Sequence, residues 1–330
     1  MNKEHLKFLV CTKCKNPLKV TECNKSNGQY IESGSLACTE CKKTFPIIDF
    51  VPRFVPLENY SNNFGLQWLK HAKTQYDTHS GSEATDKRFF EETKWVKDLS
   101  GQYILEVGSG SGRFTAEAAK TGAMVVSMDY SRAVEANYAS NGQKENVLIV
   151  QADIYNMPFL ENFFDKLFCF GVLQHTPDVE QSFSSLPPFM KSGGKIVVDC
   201  YRKHKPLKQF FKTKYWVRPL TKRMKPDTLY ELVRKYVKFM WPFSRQIHKL
   251  PYGKNINWAL LVADYRSTWS IKSDEELRQW AILDTFDMLS PHYDQPQTKA
   301  TLRRWFANNN LKNVDIQYGY NGIEARGVKP

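Results

Sequence analysis

Two pairs of cysteines, Cys11-Thr-Lys-Cys14 and Cys38-Thr-Glu-Cys41, stand 23 residues apart near the start of the chain. Each pair can sit on a tight knuckle that turns two sulfurs toward one point, and four thiolates make the closed tetrahedral shell of a structural zinc ion. A redox dithiol and a ribbon without metal are the alternatives; Cys23, between the pairs, is not an expected ligand. A second constellation begins at Glu106-Val-Gly-Ser-Gly-Ser-Gly-Arg-Phe-Thr115. Gly108, Gly110 and Gly112 let the backbone turn sharply and approach a ligand with no Cβ in the way. The helix that follows offers free N–H groups and the positive end of its dipole. Further on, Asp129 and Asp153 each follow an apolar run, and His175 follows a third.

These residues need particular elements to bring them together. Gly101–Leu105 reads as a strand before the glycines, and Ala116–Thr121 as a helix closed by Gly122. Ala123–Met128, Val147–Gln151, Lys166–Phe170 and Lys191–Val198 read as further strands, Thr298–Asn308 as a helix, and Val314–Tyr318 with Gly322–Gly327 as a closing hairpin. Alternation of strands and helices predicts an α/β fold, a parallel sheet with helices on both faces. In such a sheet Asp129, at the end of the second strand, can hold both ribose hydroxyls of a nucleoside. Asp153, after the third, can accept from the amine of adenine while Ile154 covers the ring. The glycine spacing is neither a phosphate loop nor Gly-x-Gly-x-x-Gly. Glu106 before it would repel a pyrophosphate yet accept from an ammonium group, which points to S-adenosylmethionine rather than a dinucleotide. His175 is then the titratable side chain placed to face a transferred methyl group and to take a proton from an attacking oxygen or nitrogen. A structural histidine capping its loop is the other reading, and proximity alone can suffice for this chemistry. Tyr201, at the end of the fifth strand, is a further candidate.

At 330 residues, 42% hydrophobic and 14% aromatic, the chain can bury a substantial core and accommodates two domains or one with insertions. No apolar run reaches the roughly 18 residues that span a membrane, and Met1–His5 has no signal-peptide core. The expected location is the cytoplasm, where cysteines serve as metal ligands or buried thiols. The charge is uneven. Between Arg202 and Lys249 lie 15 Lys and Arg against Asp227 and Glu231, an excess equal to the whole net charge of +13. Such a patch implies an anionic partner: nucleic acid, a membrane surface or an acidic substrate.

The cysteine pairs, with Phe45-Pro-Ile-Ile-Asp-Phe-Val-Pro, resemble the small zinc-ribbon family whose free-standing members activate tRNA and release-factor methyltransferases. Phe45 stands where that family has Tyr, and Asp49-Phe50 where Asp-Gly is commoner. The resemblance covers about residues 6–56 and implies an accessory domain, not a catalytic zinc. Residues 101–201 with 296–330 resemble the class I S-adenosylmethionine-dependent methyltransferases, which implies a Rossmann-like, seven-stranded sheet. Glu106, Gly108, Gly110 and Gly112 match that family's first motif, Asp129 its ribose acid, Asp153-Ile154 its adenine position, and Asp165 with Gly171–His175 its fourth-strand motif. Ser109, Tyr130, Gly171 and Val172 complete the expected cofactor set.

The expected organisation is a ribbon (1–57), linker and lid helices (58–100) with Trp68 and Gln75 facing the ligand, the catalytic domain (101–201 and 296–330), and a basic, aromatic-rich helical insertion (202–295) that binds the acceptor. Tyr215, Trp216, Trp241, Trp258 and Trp269 interleave with its basic residues. Thr228–Met240 reads as an amphipathic helix with Leu229, Leu232, Val233, Tyr236, Val237 and Met240 on one face. Asp284–Gln297 reads as a polar segment reaching back to the cofactor, in which Asp284, Asp287, His292, Tyr293, Asp294 or Gln295 shapes the acceptor pocket, with Asp287, His292 and Tyr293 as the acceptor-site candidates beside Tyr201. The leading expectation is an enzyme moving a methyl group to oxygen or nitrogen of a small-molecule, saccharide or lipid-linked acceptor, in peripheral contact with anionic membrane. An RNA or translation-factor methyltransferase, and a non-catalytic cofactor-binding scaffold, stand beside it.

Overall fold

The Asn27-Gly28 turn, with Gly28 at φ +59°, folds Leu18–Asn27 (β1) back on Tyr30–Cys38 (β2). Thr44–Ile48 (β3) and Val51–Pro52 (β4) complete a four-stranded antiparallel sheet in the order β1-β2-β3-β4. The computed structural model describes residues 1–57, 59–205, 212–267 and 273–330; Trp269 lies outside them. The ribbon is not a tethered appendage. Phe8, Ile31, Leu36 and Phe45 belong to the same apolar cluster as Leu105 and Val126 of the large sheet. Arg53 bridges Gln151 in parallel, and the Phe54 N–H donates to the Gln151 carbonyl at 2.8 Å. The ribbon thereby covers an edge that would otherwise expose unpaired backbone groups.

The large sheet has seven strands. Tyr103–Val107 (β5), Met124–Asp129 (β6), Val147–Gln151 (β7), Phe164–Cys169 (β8) and Met190–Cys200 (β9) are parallel, and Lys312–Gly319 (β10) and Gly322–Val328 (β11) form the antiparallel closing hairpin. The order is β10-β11-β9-β8-β5-β6-β7. The parallel strands are buried on both faces, so they read as continuous apolar runs. The order reverses between β5 and β8, and ligands in such sheets bind outside the strand ends at that point.

Asn62–Lys70 (α1), Asp77–Ser80 (α2) and Ala84–Thr93 (α3) precede the sheet, with Arg113–Lys120 (α4), Ala133–Asn141 (α5) and Val179–Ser184 (α6) packed along it. The insertion contributes Lys214–Thr221 (α7), Pro226–His248 (α8), Gly253–Ala259 (α9) and Asp274–Leu289 (α10), and Lys299–Asn308 (α11) leads to the hairpin. The insertion has its own core, in which Leu229, Val233, Val237 and Trp241 of α8 meet Ile282 and Phe286 of α10.

One expectation is corrected here, and one segment takes a more definite form. Leu232, placed by periodicity on the buried face of α8, is 53% exposed, because the face that packs runs through Val233, Val237, Trp241 and Ser244. Asp284–Gln297 is not one irregular segment. Its first residues form the last turns of α10, whose N-terminus is fixed by Ser273, which accepts from the Glu276 N–H.

Candidate functional site

One cavity of about 1120 Å³ opens at the carboxyl ends of β5, β6, β7 and β8 and runs beneath the insertion. Gly108, Ser109, Gly110, Asp129, Tyr130, Asp153, Ile154, Gly171, Val172, His175, Tyr201 and Asp287 all line it, as do Trp68 and Gln75. Residues spread over 220 positions of sequence, from Trp68 to Asp287, thus face one space that can hold a nucleoside and a second molecule together.

The glycine turn is tight where a ligand would lie. A Cβ on Gly108 would fall 2.1 Å from Val172 Cγ2, and one on Gly110 would meet the Trp68 ring at 3.0 Å. Both glycines have positive φ, so any side chain there is strained as well as crowded. Gly112 differs from the expectation. It does not line the cavity, and its missing Cβ makes room for Asn137, whose Oδ1 would lie 2.1 Å away. It turns the chain into α4 and lets α5 pack against that turn.

Glu106 also departs from the expectation. Its residue is 1% exposed and absent from the cavity wall. Its Oε2 accepts from the hydroxyls of Thr115 and of Ser127, the latter at 2.8 Å, tying β5 to α4 and β6. Burial pushes its pKa up to about 7, against those two hydrogen bonds. Through Oε2 it braces the glycine turn from behind.

Asp129 is held from two sides. Its Oδ2 accepts from the Gly110 N–H at 2.9 Å, and its Oδ1 from the Ser131 N–H at 2.8 Å and hydroxyl at 2.7 Å. Burial raises its pKa while these donors oppose the shift. With about two lone-pair sites on each carboxylate oxygen, Oδ1 is fully used and Oδ2 retains acceptor capacity toward the cavity. Asp153 accepts from the Tyr155 N–H at 3.0 Å through Oδ1, which leaves Oδ2 for a ligand, and burial raises its pKa also. The carbonyl of Tyr130 is gripped by Asn59 Nδ2 at 2.8 Å and Gln151 Nε2 at 3.0 Å, and Arg53 Nη1 donates to Gln151 Oε1 at 3.0 Å. A buried chain of hydrogen bonds therefore runs from the ribbon to the loop after β6.

The opposite wall joins the ends of β8 and β9 and one face of α1 to the insertion. His175 sits in a short 3₁₀ turn after β8, 7% exposed, between the rings of Phe64 at 5.1 Å and Tyr201 at 5.3 Å. Its Nδ1 is 2.9 Å from the Tyr293 carbonyl. A carbonyl only accepts, so Nδ1 carries the proton and Nε2 keeps a lone pair in the neutral ring. Burial lowers the His175 pKa, outweighing the pull of Asp287 and Asp294. Tyr201 donates to Asp287 at 3.1 Å, and Gln67 Nε2 to the other oxygen of Asp287 at 3.4 Å. Burial, with Asp287 beside it, holds the Tyr201 phenol well above its usual range.

Sequence reasoning misplaced two acceptor-site residues and missed others. His292 is exposed and does not line the cavity. Tyr293 supplies its backbone carbonyl to His175, while its ring packs on Tyr60 at 5.6 Å instead of entering the cavity. Asp284, expected in the acceptor pocket, does line the cavity; it takes the Tyr265 hydroxyl, and burial pushes its pKa up to about 7. Trp280, Asp284, Asp287 and Met288 line the cavity from one face of α10, a spacing of four, seven and eight that was present in the sequence. Asp294 takes Lys214 at 2.9 Å and Arg218 at 3.3 Å; burial pushes its pKa up, but the two cations outweigh it. Arg113, directly after the glycine motif, lines the cavity above the Phe114 ring at 4.4 Å and has no carboxylate at ion-pair distance among the described residues. Burial lowers its pKa to about 10.

The thiol cluster is separate from this cavity. Cys11, Cys14, Cys38 and Cys41 place their sulfurs within 4.8 Å of one another, with Cys11–Cys41 at 3.5 Å and Cys14–Cys38 at 3.3 Å. A zinc ion with Zn–S bonds of about 2.3 Å needs sulfurs about 3.8 Å apart, and this donor set fits it. Cys23 is exposed and outside the cluster.

Residues 105–198 match the family described as methyltransferase domain, and residues 2–49 the family described as Trm112p-like protein. The chain is 31% identical over 98 residues to a demethylmenaquinone methyltransferase of Corynebacterium kroppenstedtii, covering 30% of this chain and 41% of the relative. It is 26% identical over 209 residues to a tRNA U34 carboxymethyltransferase of Ruthia magnifica, covering 58% and 64%. It spans about half the length of the curated relatives it matches, between 41% and 52% for two demethylmenaquinone methyltransferases. Among solved structures it is similar to the complex of the Haloferax volcanii Trm112 methyltransferase activator with a candidate methyltransferase, at 12% identity and a TM-score of 0.46 over 82% of this chain and 98% of that one.

Proposed function

We propose that this chain, in which a Trm112p-like domain is joined to a methyltransferase domain, uses S-adenosylmethionine to methylate an oxygen or nitrogen of a small, hydroxyl- or amine-bearing acceptor such as a saccharide. One observation carries the reading: the glycine turn, Asp129 and Asp153 face the same cavity as His175, Tyr201 and Asp287. The cofactor supplies an electrophilic methyl group on a sulfonium. Asp129 would take the ribose hydroxyls, Asp153 the adenine amine, and Arg113 the methionine carboxylate. Gln75, whose buried Oε1 has no partner among the described residues, would accept from the ammonium group. On the acceptor side, Gln67 Oε1 is likewise buried without a partner. With Asp284 and Asp287 it makes a wall of hydrogen-bond acceptors, which favours a ligand rich in O–H or N–H donors.

As the acceptor lone pair attacks, its proton would pass to His175 Nε2. The Tyr293 carbonyl fixes the tautomer that allows this, and Asp287 with Tyr201 orients the acceptor. Positioning two molecules in one buried cavity supplies much of the acceleration expected of such an enzyme.

The ribbon, which matches the Trm112p-like family, favours a second reading, methylation of RNA or of a translation factor, and one relative is a tRNA carboxymethyltransferase by name. Titration calorimetry of the zinc-analysed protein tests the first part. S-adenosylmethionine and S-adenosylhomocysteine should bind at micromolar concentration and NAD should not. Transfer of labelled methyl groups to a panel of saccharides and to tRNA then separates the two acceptors. Label in tRNA alone would replace the leading reading with the second, and binding without transfer to any acceptor would favour a scaffold.

A further inference from the structure

The insertion exposes more apolar side chain than a solvated cap needs. On α8, Leu232, Phe239 and Phe243 are 53%, 68% and 53% exposed. They lie seven and four residues apart, hence on one side of the helix, and the two phenylalanine rings touch at 5.6 Å. The stripe continues onto α9, because the Tyr236 hydroxyl of α8 donates to the carbonyl of Leu260. There Ile256 and Leu260 are exposed, and Leu250 stands in the connection. Scattered exposed apolar residues need no explanation, but a contiguous set does.

The surroundings select the occupant. From Lys212 to Leu260 the chain has 12 Lys and Arg and only two acids, Asp227 and Glu231. Lys235 and Lys238 are exposed on the flank of the stripe. A second copy of the chain would oppose one cationic surface to another. Single-stranded nucleic acid would stack on aromatic rings, whereas Leu232, Leu250, Ile256 and Leu260 are aliphatic. An apolar stripe bordered by lysines suits the interface of an anionic bilayer, where hydrocarbon enters the acyl boundary and ammonium groups meet the headgroups.

The stripe also adjoins the cavity. Lys254, Asn255 and Trp258 of α9 line it, and Thr213, just before α7, is tied to Ala259 by a 2.6 Å hydrogen bond. We infer that α8 and α9 form a docking surface for anionic membrane, which sets the mouth of the acceptor cavity against the bilayer so that a lipid-anchored acceptor can enter from it. The docking rests on this surface alone; its use for the acceptor rests on the function proposed above.

Flotation with vesicles tests it, using phosphatidylglycerol mixed with phosphatidylcholine against phosphatidylcholine alone. The full chain should bind the anionic vesicles, only weakly the neutral ones, and less as salt rises. Phe239→Ser with Phe243→Ser, and separately Lys235→Glu with Lys238→Glu, should each reduce the partition about tenfold. All four side chains are exposed, so the melting temperature and the affinity for S-adenosylhomocysteine should stay at wild-type values. Absence of binding to anionic vesicles, or variants that bind as wild type does, would overturn the inference. So would single-stranded RNA binding or self-association lost with the same substitutions while vesicle binding is absent. Docking that fails beside intact cofactor binding and methyl transfer removes only this inference. Docking that holds beside absent cofactor binding removes only the enzymatic reading.

Discussion

The two walls of the cavity are built in opposite ways. The nucleoside wall is assembled from neighbours: the glycine turn after β5, Asp129 after β6 and Asp153 after β7 come from adjacent parallel strands, and backbone N–H groups fix the carboxylates. The acceptor wall is assembled from distant pieces. His175 follows β8, Tyr201 follows β9, Gln67 belongs to α1 and Asp287 to α10, and side-chain hydrogen bonds join them. A wall fixed by a sheet tolerates little change in its ligand. A wall closed by side-chain hydrogen bonds to an inserted lobe can be altered on the lobe's side without disturbing the sheet. The same sheet can thus keep one cofactor while insertions change the acceptor.

The largest effect should come from the metal, and it should reach the nucleoside wall first. Structural zinc in small sites contributes on the order of 10 kcal/mol to folding. Cys38→Ser should therefore remove the zinc and loosen the ribbon. The ribbon shares the main core and holds the loop after β6 through Arg53, Gln151 and Tyr130. Metal analysis should show less than one zinc per chain, with a lower melting temperature and weakened cofactor binding. Unchanged cofactor affinity in a zinc-free protein would mean that the nucleoside wall stands without the ribbon.

Next is Asp129→Ala. Loss of a carboxylate that accepts from a ligand should weaken S-adenosylhomocysteine binding by about 2–3 kcal/mol, as for hydrogen bonds to a charged group. Calorimetry reads it directly. The Gly110 and Ser131 donors also lose their acceptor, so the melting temperature has to be measured beside the affinity. Tyr201→Phe, on the other wall, should leave cofactor affinity unchanged and lower kcat about fivefold, through one lost hydrogen bond of about 1 kcal/mol. If both variants changed both quantities alike, the walls would not be separable.

This division also decides what could be read from the sequence. Glycines, an acid after a strand and paired cysteines are local signals, so the strand ends and thiol cluster were placed by residue number. Glu106 was legible as to position but not as to direction. A side chain near the end of a strand points to one face or the other, and Thr115 with Ser127 draws this one inward. The acceptor wall depends on where α10 passes over the sheet. Its apolar residues occupy more than one face, since Trp280, Ala281, Ile282 and Leu283 are all buried in succession. With no single polar stripe to mark it, the helix that carries Asp284 and Asp287 cannot be read from periodicity, although both acids are expected in the pocket. His292 and Tyr293 are displaced for the same reason, because one residue of rotation at the end of a helix exchanges ring for backbone.

The smallest predicted effect concerns the proton. Burial lowers the pKa of His175 below the ordinary histidine value of about 6.5. The neutral ring is the form that can accept a proton, so kcat/KM should be level across neutral pH and fall only as pH drops below about 6.5. The same shift enters stability. The unfolded chain binds the proton more readily than the folded one in the window below about 6.5, so the contribution of His175 is present above that pH and is lost as pH falls through the lower folded value. A pH profile of kcat/KM for the wild type and for His175→Gln tests this. The acid limb should disappear in the variant, because glutamine does not titrate. An acid limb that persists there would assign the proton to another group of the acceptor wall, and Asp287, which already accepts from Tyr201 and Gln67, would be the next to substitute.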